Sequence, residues 1–156
     1  MSLMVPEEFL NTVKERETVT RWLNLKKRPS TGKNYQYTYI DIVKEGIATK
    51  SVNYFLKHTN LTKKQLGKLI HVSTRTLQRN NPEKKLDINS SERLLQLARL
   101  FYKGEEIFGS TDRFNEWLKR TNVALGNKKP IDFLETSIGA ELVMDELLRI
   151  DFGVFS

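Results

Sequence analysis

Apolar residues recur along this chain three or four positions apart, in stretches closed off by short polar turns, which is the spacing of helices that share a core. Phe9, Leu10, Val13, Thr20 and Leu23 fall on one face of a first helix expected to begin near Pro6, a residue suited to a first helical turn. The charged, Pro- and Gly-containing run "KKRPSTGKN", Lys26 to Asn34, reads as a break. The following "YQYTYI" alternates as a short strand would, but no partner strand is in sight, so it reads as irregular.

From about Ala48 the helical signals are dense. Val52, Phe55 and Leu56 form one face. Leu66, Leu69 and Ile70 form the next, behind Thr62 as a good N-cap, and Ser73 caps another helix after a tight turn. A long central helix is predicted from Asn89, with Glu92 completing a capping-box layout and Leu94, Leu97, Ala98 and Phe101 inward. Ser110 caps a helix burying Phe114, Trp117 and Leu118, and Pro130 opens a short one. The last helix groups Ile138, Leu142 and Leu147, with Ile150 nearby. The fold class is all-α.

Composition narrows the functions open to such a fold. The 156 residues include no cysteine and only two histidines, His58 and His71, so disulfides and a Cys/His zinc cluster are excluded and no metal is expected. No apolar run approaches the roughly 20 residues that span a bilayer, and no secretory signal opens the chain, so a cytoplasmic, non-membrane protein is expected. The net charge of +7 is unevenly placed: residues 1–90 hold 17 basic against 8 acidic side chains, and residues 91–156 hold 9 against 11. A basic first part suits a polyanion, and a near-neutral second part suits a protein partner. No nucleophile motif or Gly-rich phosphate loop is present, and Glu105-Glu106 and Asp145-Glu146 read as solvated helix faces, so no enzyme, catalytic residue or cofactor is expected.

Between Lys63 and Arg79 the apolar positions meet the needs of a helix-turn-helix: Leu66 and Ile70 in the first helix, Val72 in the turn, Leu77 in the second, and Gly67 where the helices approach. His71 takes the turn position that favours a left-handed backbone. With Leu77 inward, Ser73, Thr74, Arg75, Gln78 and Arg79 face outward along the surface that enters a major groove, and Lys63, Lys64 and Lys68 lie on the helix before it. Arg addresses guanine and Gln addresses adenine with paired hydrogen bonds, while Ser73 and Thr74 at the helix start suit a phosphate. The plainer alternative is a helical hairpin with a hydrated face.

The segment "EWLKRTNVALGNKKPIDFLETSIGAELVMDELLRIDFGVFS" is the most distinctive. Its Trp117-Leu118, Asn122-Val123-Ala124-Leu125-Gly126 turn, Pro130-to-Thr136 element and Arg149-Ile150-Asp151-Phe152-Gly153 run, in this order, resemble the Xre/MbcA/ParS antitoxins. The resemblance takes in the helix-turn-helix and covers roughly 46–156. Asn127, Leu148, Phe152 and Phe155 depart from the commoner residues of that pattern; Asn tolerates the left-handed backbone its turn needs.

Residues 1–45 lie outside the resemblance and read as an N-terminal extension of helix plus linker; the resemblance implies an Xre-like helix-turn-helix domain over 46–108 and a small helical toxin-binding domain over 109–156. It further implies a type II antitoxin that neutralises a RES-domain, NAD-consuming toxin and represses its own operon. In such a protein the chain end sits at the mouth of the toxin's active site, so Arg149, Ile150, Asp151, Phe152, Gly153, Val154, Phe155 and Ser156 become the toxin-binding residues. The chemistry agrees: Phe152, Val154 and Phe155 are apolar anchors, Gly153 allows close backbone approach, and Asp151 with the terminal carboxylate suits cationic groups that otherwise hold NAD phosphates. The competing readings are a tail folded onto its own domain or across a homodimer, a DNA-binding regulator without a toxin, and a protein-binding adaptor. Helix-turn-helix proteins commonly read paired half-sites, so a homodimer is expected.

Overall fold

A computed structural model describes residues 7–26, 35–79 and 81–153. Among these residues eight α-helices run in the order α1 (Glu7–Leu23), α2 (Tyr35–Glu45), α3 (Lys50–Leu56), α4 (Lys63–Ile70), α5 (Thr74–Gln78), α6 (Ile88–Phe108), α7 (Thr111–Leu118) and α8 (Ser137–Asp151). Two 3-10 turns, Val123–Leu125 and Pro130–Phe133, stand between α7 and α8. Among the described residues there is no strand beyond two isolated bridges, Ala48 with Lys85 and Asn122 with Lys128, so the all-α expectation holds. No helix among them is long and apolar enough to cross a membrane.

The long helix α6 is the spine, packing against α1, α2, α4, α7 and α8. Its buried Leu94, Leu97, Ala98 and Phe101 are those its periodicity indicates, joined by Leu95 and Leu100. A chain of rings crosses the core from Trp22 to Phe55 (centroids 6.5 Å apart), on to Phe101 (5.6 Å, edge-on), Phe114 (5.0 Å, edge-on) and Trp117 (6.0 Å). Edge-to-face ring pairs add about 0.5–1.5 kcal/mol each beyond the area they bury, so this chain ties α1, α3, α6 and α7 together.

Two local expectations are corrected. "YQYTYI" is helical: it opens α2, whose Tyr39 and Ile42, three positions apart, are buried against the spine. A lone strand would leave its backbone unpaired, whereas a helix satisfies its own and needs only an apolar stripe. The spine also begins earlier than Asn89. Asp87 is its N-cap, accepting from the Ser90 amide at 2.7 Å, and the hydroxyl of Ser91 accepts from the Ile47 amide at 2.8 Å, which fixes the register. The break at Lys27–Asn34, the helix start at Pro6 and the side chains of Phe9 and Leu10 lie outside the described residues; of the proposed α1 face, Thr20 and Leu23 are buried.

Candidate functional site

Two surfaces carry the residues singled out above. The first is built on α4 and α5. The hydroxyl of Thr62 accepts from the Gln65 amide at 3.1 Å while the Gln65 side chain accepts from the Thr62 amide at 2.9 Å, a complete capping box. At the other end His71 takes the left-handed conformation, φ 63° and ψ 40°. Gly67 makes the turn tight, because a Cβ there would stand 2.7 Å from the Val72 carbonyl oxygen and 3.2 Å from a Leu77 methyl. Leu66, Ile70 and Leu77 are buried and aim α5 outward.

Of the residues expected on the DNA face, Arg75, Gln78, Arg79 and Lys64 are exposed, and Thr74 and Lys63 are half-buried. Ser73 is brought to the same edge as a cap: its hydroxyl accepts from the Thr76 amide at 3.2 Å and lies 2.8 Å from the Thr76 hydroxyl. Lys68 lies 3.1 Å from the carboxylate of Glu135, a partner 67 residues away that no local pattern reports.

The second surface begins at the turn after α7. Asn122 accepts from the Ala124 amide at 2.8 Å, Gly126 and Asn127 are both left-handed (φ 70° and 61°), and the turn leaves Val123 83% exposed. Thr136 caps α8, accepting from the Gly139 amide at 3.0 Å. Gly139 is required there, since a Cβ would fall 1.9 Å from the Phe133 carbonyl oxygen.

The face of α8 differs from the one expected. Ala140, Val143 and Leu147 are buried, while Ile138 is 73% and Leu142 46% exposed. The small pair Gly139-Ala140 lets the helix approach closely, and this sets a register with Ile138 and Leu142 on the far side. That side continues at helical spacing to Phe152, 77% exposed, with Leu148 beside it. Four of the eight large hydrophobic side chains exposed on the described surface therefore belong to α8 and its cap. At its end Arg149 grips the largely buried Glu146 through Nε at 2.9 Å and Nη2 at 2.6 Å, Asp151 pairs with Lys103 at 2.8 Å, and Gly153 is left-handed at φ 65°. Ile150 is half-buried; Val154, Phe155 and Ser156 lie outside the described residues.

The two surfaces are joined. The buried guanidinium of Arg93 donates Nε to the Leu69 carbonyl at 3.1 Å, Nη1 to Gln96 at 2.6 Å and Nη2 to the Leu134 carbonyl. Burial pulls the Arg93 proton affinity below its ordinary value, and the carbonyl oxygens compensate the desolvated charge. The His71 ring contacts the Glu135 carbonyl at 2.7 Å. No group of three metal-ligating His, Asp or Glu side chains forms among the described residues.

Residues 39–99 match the antitoxin Xre-like helix-turn-helix domain, and residues 103–153 match the antitoxin Xre/MbcA/ParS C-terminal toxin-binding domain. Among curated proteins, a Prs ADP-ribosylating antitoxin of Sphingobium sp. is 30% identical over 130 residues, spanning 75% of this chain and 80% of its own length. An antitoxin Xre of Yersinia enterocolitica is 24% identical over 75% of this chain and 80% of its own length. Another, of Photorhabdus laumondii, is 26% identical over 74% and 79%.

Proposed function

The chain belongs to the Xre/MbcA/ParS antitoxins, with a helix-turn-helix domain and a C-terminal toxin-binding domain, and from that membership we propose that it neutralises a RES-domain, NAD-consuming toxin by carrying its C-terminal end to the toxin's active site. The observation that carries this reading is the outward face of α8, where Ile138, Leu142 and Phe152 lead at helical spacing into the Arg149–Gly153 run. A monomer gains nothing by leaving such side chains in water, whereas a partner that covers them gains anchoring contacts. Asp151 and the following residues then meet cationic groups that otherwise hold NAD phosphates. One relative's name couples an antitoxin to ADP-ribosylation, a chemistry that draws on NAD, and this supports the toxin class.

The same protein acts on its own operon. Arg75, Gln78 and Arg79 read bases and phosphates from α5, with Lys63, Lys64 and Thr74 on the flanking phosphates, in a cytoplasmic homodimer matched to paired half-sites. Residues 46–108 supply the DNA-binding part and 109–156 the toxin-binding part, with α6 as the shared wall.

The test is co-expression of the intact chain, and of a chain truncated after Leu148, with the product of the neighbouring gene, following co-purification and cellular NAD. Binding and preserved NAD with the intact chain, and NAD collapse with the truncated one, are expected. A neighbour that neither binds nor alters NAD would overturn the RES assignment.

A further inference from the structure

Between α5 and the spine runs "NPEKKLD", Asn81–Asp87, a segment the reading above leaves without a role. Its backbone is pinned along one side of the residues that lead into α3. The Leu86 amide donates to the Ile47 carbonyl at 2.8 Å, and the Thr49 amide and hydroxyl both donate to the Lys84 carbonyl, at 2.8 and 2.7 Å. The Lys50 amide donates to the Pro82 carbonyl at 3.0 Å, and Lys85 pairs with Ala48 as an isolated antiparallel bridge. Leu86 is buried beneath. Gly46 makes the approach possible: it has φ 86°, and a Cβ there would lie 2.7 Å from the Leu86 carbonyl oxygen.

A loop fixed in this way presents its side chains at low entropic cost, and those it presents are cations. Lys84 and Lys85 are exposed, and neither pairs with a carboxylate among the described residues. The neighbouring acid is already occupied: Glu83 lies 2.6 Å from Lys50, whose hydrogen bond and charge, with Lys26 and Lys85 nearby, hold the Glu83 carboxyl below its ordinary value. Position then selects the polyanion. Lys84 and Lys85 follow Arg79 by five and six residues, a reach of at most about 18 and 22 Å, which keeps both lysines close to the helix that would enter the groove. They present charge without the forked geometry that reads a base.

We propose that the Asn81–Asp87 loop is a second DNA-contacting element, in which Lys84 and Lys85 neutralise backbone phosphates beside the half-site and read no bases. This rests on the reading that the helix-turn-helix binds DNA. The experiment titrates the full-length protein and its Lys84→Ala/Lys85→Ala variant against duplex DNA from upstream of the chain's own reading frame and against a scrambled duplex, at several salt concentrations. Two lost phosphate contacts flatten the slope of log K against log salt by about 1.8, so the wild-type advantage shrinks roughly tenfold between about 50 and 200 mM salt. The preference for the upstream duplex over the scrambled one stays unchanged.

If the wild type binds and the variant keeps both its affinity and its slope, the loop proposal is overturned and the DNA reading stands. If the wild type binds neither duplex, the DNA reading itself fails. Loss of toxin co-purification with an unchanged salt slope would assign the loop to a protein interface and overturn the proposal as well.

Discussion

The carboxylate of Asp151, in the last turn of α8, lies 2.8 Å from the ammonium of Lys103 on the spine, 48 residues earlier in the chain. Burial alone would lower the proton affinity of Lys103, but hydrogen bonds to Asp151 and Glu106 outweigh it and leave that affinity above the ordinary lysine value. The acid proposed to face the toxin is thus already in use, holding the end of α8 against α6. Two roles for Asp151 follow, and they separate by mutation. If its charge meets the toxin, Asp151→Asn weakens neutralisation while Lys103→Met, which frees the carboxylate, does not. If Asp151 serves only to fix the helix end, both single variants weaken neutralisation alike and the double variant is no worse than either. The folded chain itself should lose less than about 1 kcal/mol in each case, because the pair is partly solvated.

Arg75 stands exposed at the second position of α5, with Leu77 buried two positions on. Arg75→Ala is expected to cost about 1–3 kcal/mol of binding to the preferred duplex and to relax the sequence preference. Its salt dependence should change less than that of the Lys84 and Lys85 variant, since a base contact releases few counterions. Footprints and affinities equal to those of the wild type would remove Arg75 from the reading face.

Much of this was legible in the sequence because it depends on local rules. The caps at Thr62, Ser73 and Ser110, the left-handed His71 and the close approach at Gly67 each follow from what one residue type can do within a turn of its own position. The register of α8 did not follow, since its pattern offers two apolar stripes. Which one faces inward is decided by how closely Gly139 and Ala140 let the helix approach Phe133 and the spine. The contacts of Arg93 with Leu134 and of Lys68 with Glu135 span 41 and 67 residues, and no periodicity reports them.

Gly104 lies in the spine where a Cβ would meet three ring carbons of Phe114 at 2.3–2.5 Å. Alanine is the better helix former by up to about 1 kcal/mol, so the sign of Gly104→Ala depends on whether the ring can move. Phe114 is fully buried and stacked against Trp117, with Phe101 edge-on, and has nowhere to go. Overpacking therefore wins, and urea unfolding should show a net loss of about 2 kcal/mol. A variant as stable as wild type would mean that α7 shifts freely on α6.

His58 stacks on Trp22 with ring centroids 5.3 Å apart. Burial lowers its pKa below the ordinary 6.5; Glu105 opposes the shift, and Arg21 and Lys57 add to it. The unfolded chain therefore binds a proton more readily than the folded one. This contribution to stability is present above about pH 6.5 and is lost as the pH falls through the folded-state value. Urea midpoints of wild type and His58→Phe should diverge between pH 7.5 and about 5, with the wild type losing more on acidification. Parallel curves would show that stacking on Trp22 does not distinguish the two protonation states.

Ile138 and Leu142 sit one turn apart on the outward face of α8, on the side opposite buried Ala140 and Val143. Because water already covers them, Ile138→Asp and Leu142→Asp should change the stability of the free protein by no more than about 0.5 kcal/mol. Against a toxin seated on this face the same changes bury an unpaired charge, and each is expected to weaken the complex by about 2 kcal/mol or more, roughly thirtyfold. Calorimetric titration of the purified neighbour-gene product against each variant separates these effects. Undiminished affinity in both variants, with the truncation after Leu148 still inactive, would confine the toxin contact to the chain end and leave the apolar face to a second copy of the protein.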